Sequence, residues 1–539
     1  MKKNLFAVLC CSALIAGSLA GCGSSGSAGA DSSKSAENAA GAPASEEELV
    51  FVNYRDIRDL NPHLYAGEMY AQAMLYDTLV SNTADGYKGC LAEDWTISED
   101  GRIYTFDMRD GVTFSDGTPC DANAILANFN AILENRDRHT WLEMMNLLVG
   151  VSAPDSDTFV IEMSEPYYPM LTELACIRPF AMISPNCMKD GSTMNGVDGY
   201  IGTGPYVLTD FVTDEYAVFE RNESYWGEAP TVEKITVKVI PDNQTRIMAL
   251  EKGEIDLIFG KNMLDADAIS QYVDSDKFTV DLSDPTSTRH VVLNTTRDIL
   301  SDISVRKALQ HATSREAISQ GIFYGLEPAA DTLYSPTVPY CDVKLEPYAY
   351  NVEEAARLLD EAGWTVGSDG IRTKDGKRME LGLLYNSDGV TEKTISEYLQ
   401  SEYLKLGIAL NIHGEEEQSY RDNMKAGNFD MVFNICWGMP YDPQSSLAAM
   451  RAPVYGDYAA QQGLKDKAEI DQAITDILTS TDEAERQELY SFVLTRLHED
   501  AVYLPLTYET NKALYTSSLK GVHFGTDQYD VDFASMYFE

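Results

Sequence analysis

One succession of elements occurs twice in this chain. An apolar strand Ile235–Ile240 leads into a helix Gln244–Lys252 and out into a strand at Gly253–Leu257. Later a strand Met379–Tyr385 leads into a helix Thr394–Leu406, a strand Ile408–Ile412, a polar helix and the run Gly427–Met431. Strand-length apolar runs alternating with helical periodicity belong to α/β architecture, and a repeat of the unit predicts two lobes, each built on its own sheet. Val291–Asn294 and Ala501–Leu506 are short apolar strands placed to cross between them. Two crossovers make a hinge, and a ligand would sit in the cleft and be enclosed when the lobes close.

The stretch before the first repeat reads as a separate α+β unit. Leu91–Trp95, a turn at Asp100–Gly101, the alternating strand Ile103–Met108 and turns at Asp110–Gly111 and Asp116–Gly117 form an antiparallel meander. Asp121 caps a helix whose apolar face carries Ile125, Phe129 and Ile132 and which runs out near Asn135. Strand Phe159–Met163 follows, and the unit extends to about residue 199. Just beyond the helix stands Arg136-Asp137-Arg138-His139-Thr140-Trp141. Guanidiniums and an indole together can hold a planar carboxylate and stack a flat group. The competing reading is that the arginines complement the negative helix end and Trp141 is partly core. His63, beside Pro62, reads as a buried hydrogen-bonding histidine. Gly202-Thr203-Gly204 lacks the GK[ST] of a phosphate loop and reads as structural.

The ends are read from their own chemistry. Lys2 and Lys3, an apolar run and Leu19-Ala20-Gly21-Cys22 form a lipoprotein signal peptide over residues 1–21, with Cys22 the lipidated N-terminus. Residues 22–48, rich in Gly, Ser and Ala, form a flexible anchoring linker. The roughly 490 residues that follow exceed one hydrophobic core and require two or three domains. A net charge of −44, from 85 acidic and 41 basic residues, repels phosphate backbones and argues against nucleic-acid binding. An anionic ligand therefore needs locally concentrated arginine. Six cysteines remain beyond Cys22, in no zinc-like spacing, and Cys176 and Cys187 could be bridged or not.

Several runs in this chain resemble the solute-binding proteins of the peptide and nickel ABC importers (family 5). They include Met108-Arg109-Asp110-Gly111-Val112, Ile201 to Tyr206, Arg221-Asn222 with Tyr225-Trp226, and Ala362-Gly363-Trp364. Within that family the nickel-binding branch is the most similar, through Leu60 to Tyr65, Arg138-His139 with Trp141-Leu142-Glu143, Arg178-Pro179-Phe180, Pro440 to Pro443, Gln461 to Leu464 and Leu494 to His498. The resemblance implies an α/β, two-lobed periplasmic-binding-protein-like fold of the class with an extra inserted subdomain and a ligand cleft between lobes. Lobe I would span 49–290 with the insert at about 86–199, lobe II 291–502, and a C-terminal return to lobe I 503–539.

It also implies an extracytoplasmic receptor, not an enzyme, that captures chelated nickel or a related divalent metal and delivers it to a permease driven by ATPase subunits. Such relatives bind metal as a complex with a small chelator, so no cofactor is expected and no protein side chain need ligate the metal. The matching ligand-binding positions are Tyr65, Met69, Arg138, Trp141, Arg178, Trp437 and Tyr441. Some relatives place a histidine where this chain has Tyr455, which would then touch the chelator instead. Near Tyr420 the pattern drifts, and Arg421 would add a cation, favouring a chelator with more carboxylates. His139 is expected to face away. The alternative cargo is a di- or oligopeptide, which would call for an acid to receive the free amine. A hydrolase is disfavoured, because His498-Glu499 lacks a second histidine and no GxSxG elbow exists. The membrane would be touched only through the lipid anchor, and a monomer is expected.

Overall fold

The computed structural model describes residues 48–83, 85–261, 263–436, 443–525 and 531–539. The signal peptide, Cys22 and the linker fall outside these residues, as do Trp437 and Tyr441.

A ten-stranded mixed sheet forms the spine. In the middle lie its two longest strands, Phe278–Leu293 and Tyr503–Thr516, paired antiparallel with Val280 opposite Leu514 and Val291 opposite Leu504. On one side Leu257–Phe259 joins Tyr503–Thr516, and Glu48–Asn53 lies parallel between it and Lys234–Val239. On the other side Met431–Cys436 joins Phe278–Leu293, and Glu380–Asn386 lies parallel between it and Ala409–Glu415. Each half therefore has its own parallel trio, which is the repeat seen in the sequence. The helices of the repeat are Asn243–Glu251 and Val390–Lys405.

The two crossover stretches are the apolar ends of much longer strands. Val291–Leu293 and Leu504–Leu506 are fully buried, which is why they stood out, whereas the polar run Asp281–Ser287 hid the rest. The strand expected at Gly253–Leu257 begins instead at Leu257. Gly253 turns the chain at φ +71°, and the Asp256 carboxylate accepts the Val50 N–H at 2.8 Å, so the preceding residues form a corner.

A separate four-stranded antiparallel sheet carries Ala92–Ile97, Ile103–Met108, Thr158–Met163 and Leu148–Ser152. Its alternation is strict in Ile103–Met108, where Tyr104, Phe106 and Met108 point inward. Helix Ala122–Glu134 covers it, with Phe129 and Phe159 ring centroids 4.8 Å apart. Asp121 caps that helix through the N–H groups of Asn123 and Ala124. Each such buried aromatic contributes on the order of 1.5–3 kcal/mol. The core of this unit continues into helices Lys467–Thr479 and Glu483–Glu499 of the other half. There the fully buried Arg486 lies 3.4 Å from the Tyr168 ring centroid, a cation held against an aromatic face.

The glycines of Gly202-Thr203-Gly204 are packing residues. A Cβ on Gly202 would overlap the Leu75 carbonyl oxygen, and Thr203 donates to Asp77 Oδ2 at 2.8 Å. Cys176 and Cys187 are thiols with no bridge between them; Cys176 Sγ donates to Thr172 O at 3.6 Å. No helix among the described residues is long and apolar enough to cross a membrane.

Candidate functional site

Ligands of open α/β sheets settle at the carboxyl ends of parallel strands, where helix and loop termini converge. A cavity of about 930 Å³ opens there, at the ends of Glu48–Asn53 and Leu257–Phe259. Phe51, Asn53, Phe259, Gly260 and Lys261 line it from the first half, and Ile435 from the strand Met431–Cys436 of the second. Its size suits a small organic ligand, for which pockets run to roughly 300–1,000 Å³.

Five of the eight positions expected from sequence line this one cavity: Tyr65, Met69, Arg138, Trp141 and Arg178. Met69 opens helix Met69–Leu75 and is half-buried. Arg138 belongs to the single 3-10 turn Arg136–His139 that follows Asn135, the C-cap of helix Ala122–Glu134. Trp141 comes three residues later and is 41% exposed, so it belongs to a wall rather than to the core. Arg178 is extended (φ −111°, ψ 124°), as a residue before proline tends to be. Its Nε donates to Gln72 Oε1 at 2.7 Å, and its terminal nitrogens donate to the carbonyls of Tyr65 and Gly67. Gly67 makes this possible, because a Cβ there would overlap the Asp59 carbonyl oxygen where the two loops meet.

Tyr65 is the pivot of the wall. Trp141 Nε1–H donates to its hydroxyl at 2.8 Å, and that hydroxyl shares a hydrogen bond with His139 Nδ1 at 2.7 Å. Burial, with Arg138 adding repulsion, lowers the His139 pKa to about 4, so the ring is neutral. Burial pushes the Tyr65 phenol up to about 12, so the proton stays on oxygen. His139 is not among the residues lining the cavity; it is fully buried and hydrogen-bonds to the tyrosine that lines it. His63 is likewise buried, with Nδ1 2.9 Å from Thr193 Oγ1.

The remaining expected positions stand differently. Tyr455 caps helix Gly456–Gln461, is half-buried against the large apolar core, and is not among the residues lining the cavity. Arg421 does not supply the extra cation: it pairs with Glu417 one turn back on an exposed helix, at 2.6 Å. Arg55, Arg58 and Lys261 line the cavity instead. They follow strand ends in a chain that is poor in basic residues, a signal that was present in the sequence. Glu68 is the lining acid among the described residues, and it receives Arg55 Nε at 2.6 Å and Asn53 Nδ2 at 3.2 Å. No histidine or cysteine lines the cavity among the described residues.

Lys261 leads out of the cavity into a buried ionic network on the two long strands. It pairs with Glu509, which also pairs with Arg289 and accepts the Ser287 hydroxyl. Arg289 further meets Glu392 at 2.5 Å, and Glu327 receives Lys512 at 3.3 Å and the Thr507 hydroxyl at 2.8 Å. Burial works against every charge here. The three carboxylates outweigh it and hold the Arg289 pKa above its ordinary value.

Comparison with known proteins agrees with this architecture. The model of the bacterial extracellular solute-binding proteins, family 5 Middle, matches residues 86–457. The nickel-binding periplasmic protein of Escherichia coli K12 is 43% identical over 458 residues, which cover 84% of this chain and 87% of that protein. The structure of NikA from Brucella suis in complex with Fe(III)-EDTA matches with TM-score 0.88 and 43% identity, over 91% of this chain and all of that one. The periplasmic oligopeptide-binding protein OppA of Salmonella typhimurium is 26% identical over 90% of this chain and 91% of its own length. With its two-lobed α/β architecture and its cavity at the strand ends, the chain belongs to the bacterial extracellular solute-binding proteins of family 5.

Proposed function

We propose that the protein captures a nickel(II) chelate, or that of a related divalent metal, in this cavity and presents it to the permease of an ATP-driven importer. The observation that carries the reading is the wall of Arg138, Arg178, Trp141 and Tyr65, a carboxylate-binding and stacking surface whose lining supplies no histidine or cysteine among the described residues. The two nickel- or chelate-bearing relatives at 43% identity support it. The metal is cargo, held through its chelator. Each charge-assisted hydrogen bond to a carboxylate contributes about 1.5–3 kcal/mol. Met69 lines the site, we assign Trp437 and Tyr441 to it from their match to the nickel-binding pattern, and we keep Tyr455, which stands where some relatives have a histidine, as a chelator contact although it is not among the residues lining the cavity. We read residues 49–290 as lobe I with the insert at about 86–199, 291–502 as lobe II and 503–539 as the return. We place the body outside the cytoplasm as a monomer, tethered to the membrane by a lipid on Cys22.

The oligopeptide-binding relatives favour a second reading, a peptide cargo. Against it stands Glu68, the acid that lines the cavity among the described residues, which is already engaged by Arg55 and Asn53. Intrinsic fluorescence separates the two, because Trp141 lines the cavity. Titration with premixed nickel and L-histidine should change the emission saturably, and Trp141→Phe should diminish that change, while a tripeptide should leave the emission unaltered. Saturable binding of the tripeptide with no response to the chelate would overturn the reading in favour of peptide.

A further inference from the structure

The charges lining the cavity do not balance, and the imbalance centres on a residue that no resemblance assigns. Five cations line the cavity, Arg55, Arg58, Arg138, Arg178 and Lys261, against the single lining acid Glu68 among the described residues. Arg55 is matched by Glu68 and Lys261 by Glu509. The guanidiniums of Arg58 and Arg138 have no hydrogen bond or ion pair among the described residues, in a protein where acids outnumber bases 85 to 41. A cation that meets no acid among the described residues of so acidic a chain is an exception that asks for a ligand.

Arg58 is also held in place by its backbone. It sits at φ +55°, in the left-handed region that favours glycine. Such a conformation persists where the surroundings dictate it, and it gathers at ligand sites. Here Asp56 dictates it: Oδ1 accepts the Arg58 N–H at 2.9 Å and Oδ2 accepts the Asp214 N–H at 3.2 Å. Asp56 is thus committed to main chain, and the adjacent Asp59 accepts the Asn61 N–H and the Tyr200 hydroxyl through Oδ1, each at 3.1 Å, which leaves the Arg58 side chain for the cavity. Arg58 comes from the loop after Glu48–Asn53, whereas Arg138 comes from the 3-10 turn Arg136–His139. Two unmatched guanidiniums on separate elements can each take a different carboxylate of one ligand.

We propose that Arg58 is a specificity-determining residue of the cavity, which selects metal chelates of net negative charge, those whose carboxylates outnumber the charges of the metal, over neutral chelates. The proposal rests on the chelate-receptor reading above. A bis-histidine nickel complex is neutral, and its two carboxylates are already offset by the metal. A nickel–EDTA complex is doubly negative and keeps carboxylate oxygens facing outward for Arg58 and Arg138.

Calorimetric titration of the mature protein with preformed nickel–EDTA and preformed nickel bis-histidine tests it, in wild type, Arg58→Gln and Arg58→Lys. The wild type should prefer nickel–EDTA. Arg58→Gln should weaken nickel–EDTA at least about tenfold, and the neutral chelate by much less. Arg58→Lys should recover part of the loss, and the wild-type preference should shrink at high salt more than that of Arg58→Gln. Equal loss for both chelates, or no loss for either, overturns the role of Arg58 and leaves the receptor reading standing. Failure of the wild type to bind either chelate overturns the receptor reading and the proposal with it.

Discussion

Arg289 and Arg138 are both guanidiniums in a strongly acidic protein, but the molecule treats them in opposite ways. Arg289 is buried among Glu509, Glu392 and Glu327 on the long central strands. Arg138 lines an open cavity and meets no acid among the described residues. Lys261 belongs to both regions, since it lines the cavity and pairs with Glu509. A charge whose partners are all internal holds the fold together at the junction of the two halves. A charge left without one is held ready for a partner from outside. The count of positive side chains does not separate structure from binding; the whereabouts of their acids does.

Replacing Arg289 by Met should strain this comparison most. It leaves the buried carboxylate of Glu509 with Lys261 as its ion-pair partner beside the Ser287 hydroxyl and should cost about 3–5 kcal/mol, read from denaturant midpoints. Arg138→Met, the same change at the other site, should shift stability by no more than about 0.5 kcal/mol and weaken chelate binding at least about tenfold. A stable Arg289→Met protein, or an unfolding Arg138→Met one, would erase the distinction. Arg178→Ala should fall between. Binding should weaken at least about tenfold, and stability should also drop by about 1–3 kcal/mol because Gln72 and the Tyr65 and Gly67 carbonyls lose their donor.

Tyr65→Phe should have a smaller effect, about 1–2 kcal/mol, since it leaves the Trp141 N–H and His139 Nδ1 without their shared hydroxyl. The smallest effect concerns pH. The folded pKa of His139 lies near 4, below its ordinary 6.5, so the unfolded chain binds the proton more readily. The stability this residue contributes is therefore present above about 6.5, is lost as pH falls towards 4, and changes no further below that. Melting curves of wild type and His139→Asn should draw together across that window on acidification.

What could be read from sequence followed local periodicity. Helix Ala122–Glu134 was legible because Asp121 caps it and Ile125, Phe129 and Ile132 share one face. Strand Ile103–Met108 was legible through its alternation. The long strands were legible only at their apolar ends, because pairing with each other rather than hydrophobicity keeps Asp281–Ser287 extended. Within the site, Arg138 and Trp141 announced themselves by clustering. Arg58 did not, since its place in the cavity depends on the Asp56 turn and on Gly67 bringing two loops together. His139 was expected to face away, and its bond to Tyr65 depends on a contact 74 residues apart.

Calorimetric titration of the metal-free mature protein with nickel alone, L-histidine alone and the two premixed bears most directly on the claim that the cavity recognises a chelate through its arginines. The account predicts heat from the premixed complex and none from either component. Saturable binding of bare nickel would contradict it, because the metal would then be held by protein ligands rather than by a carboxylate-bearing chelator.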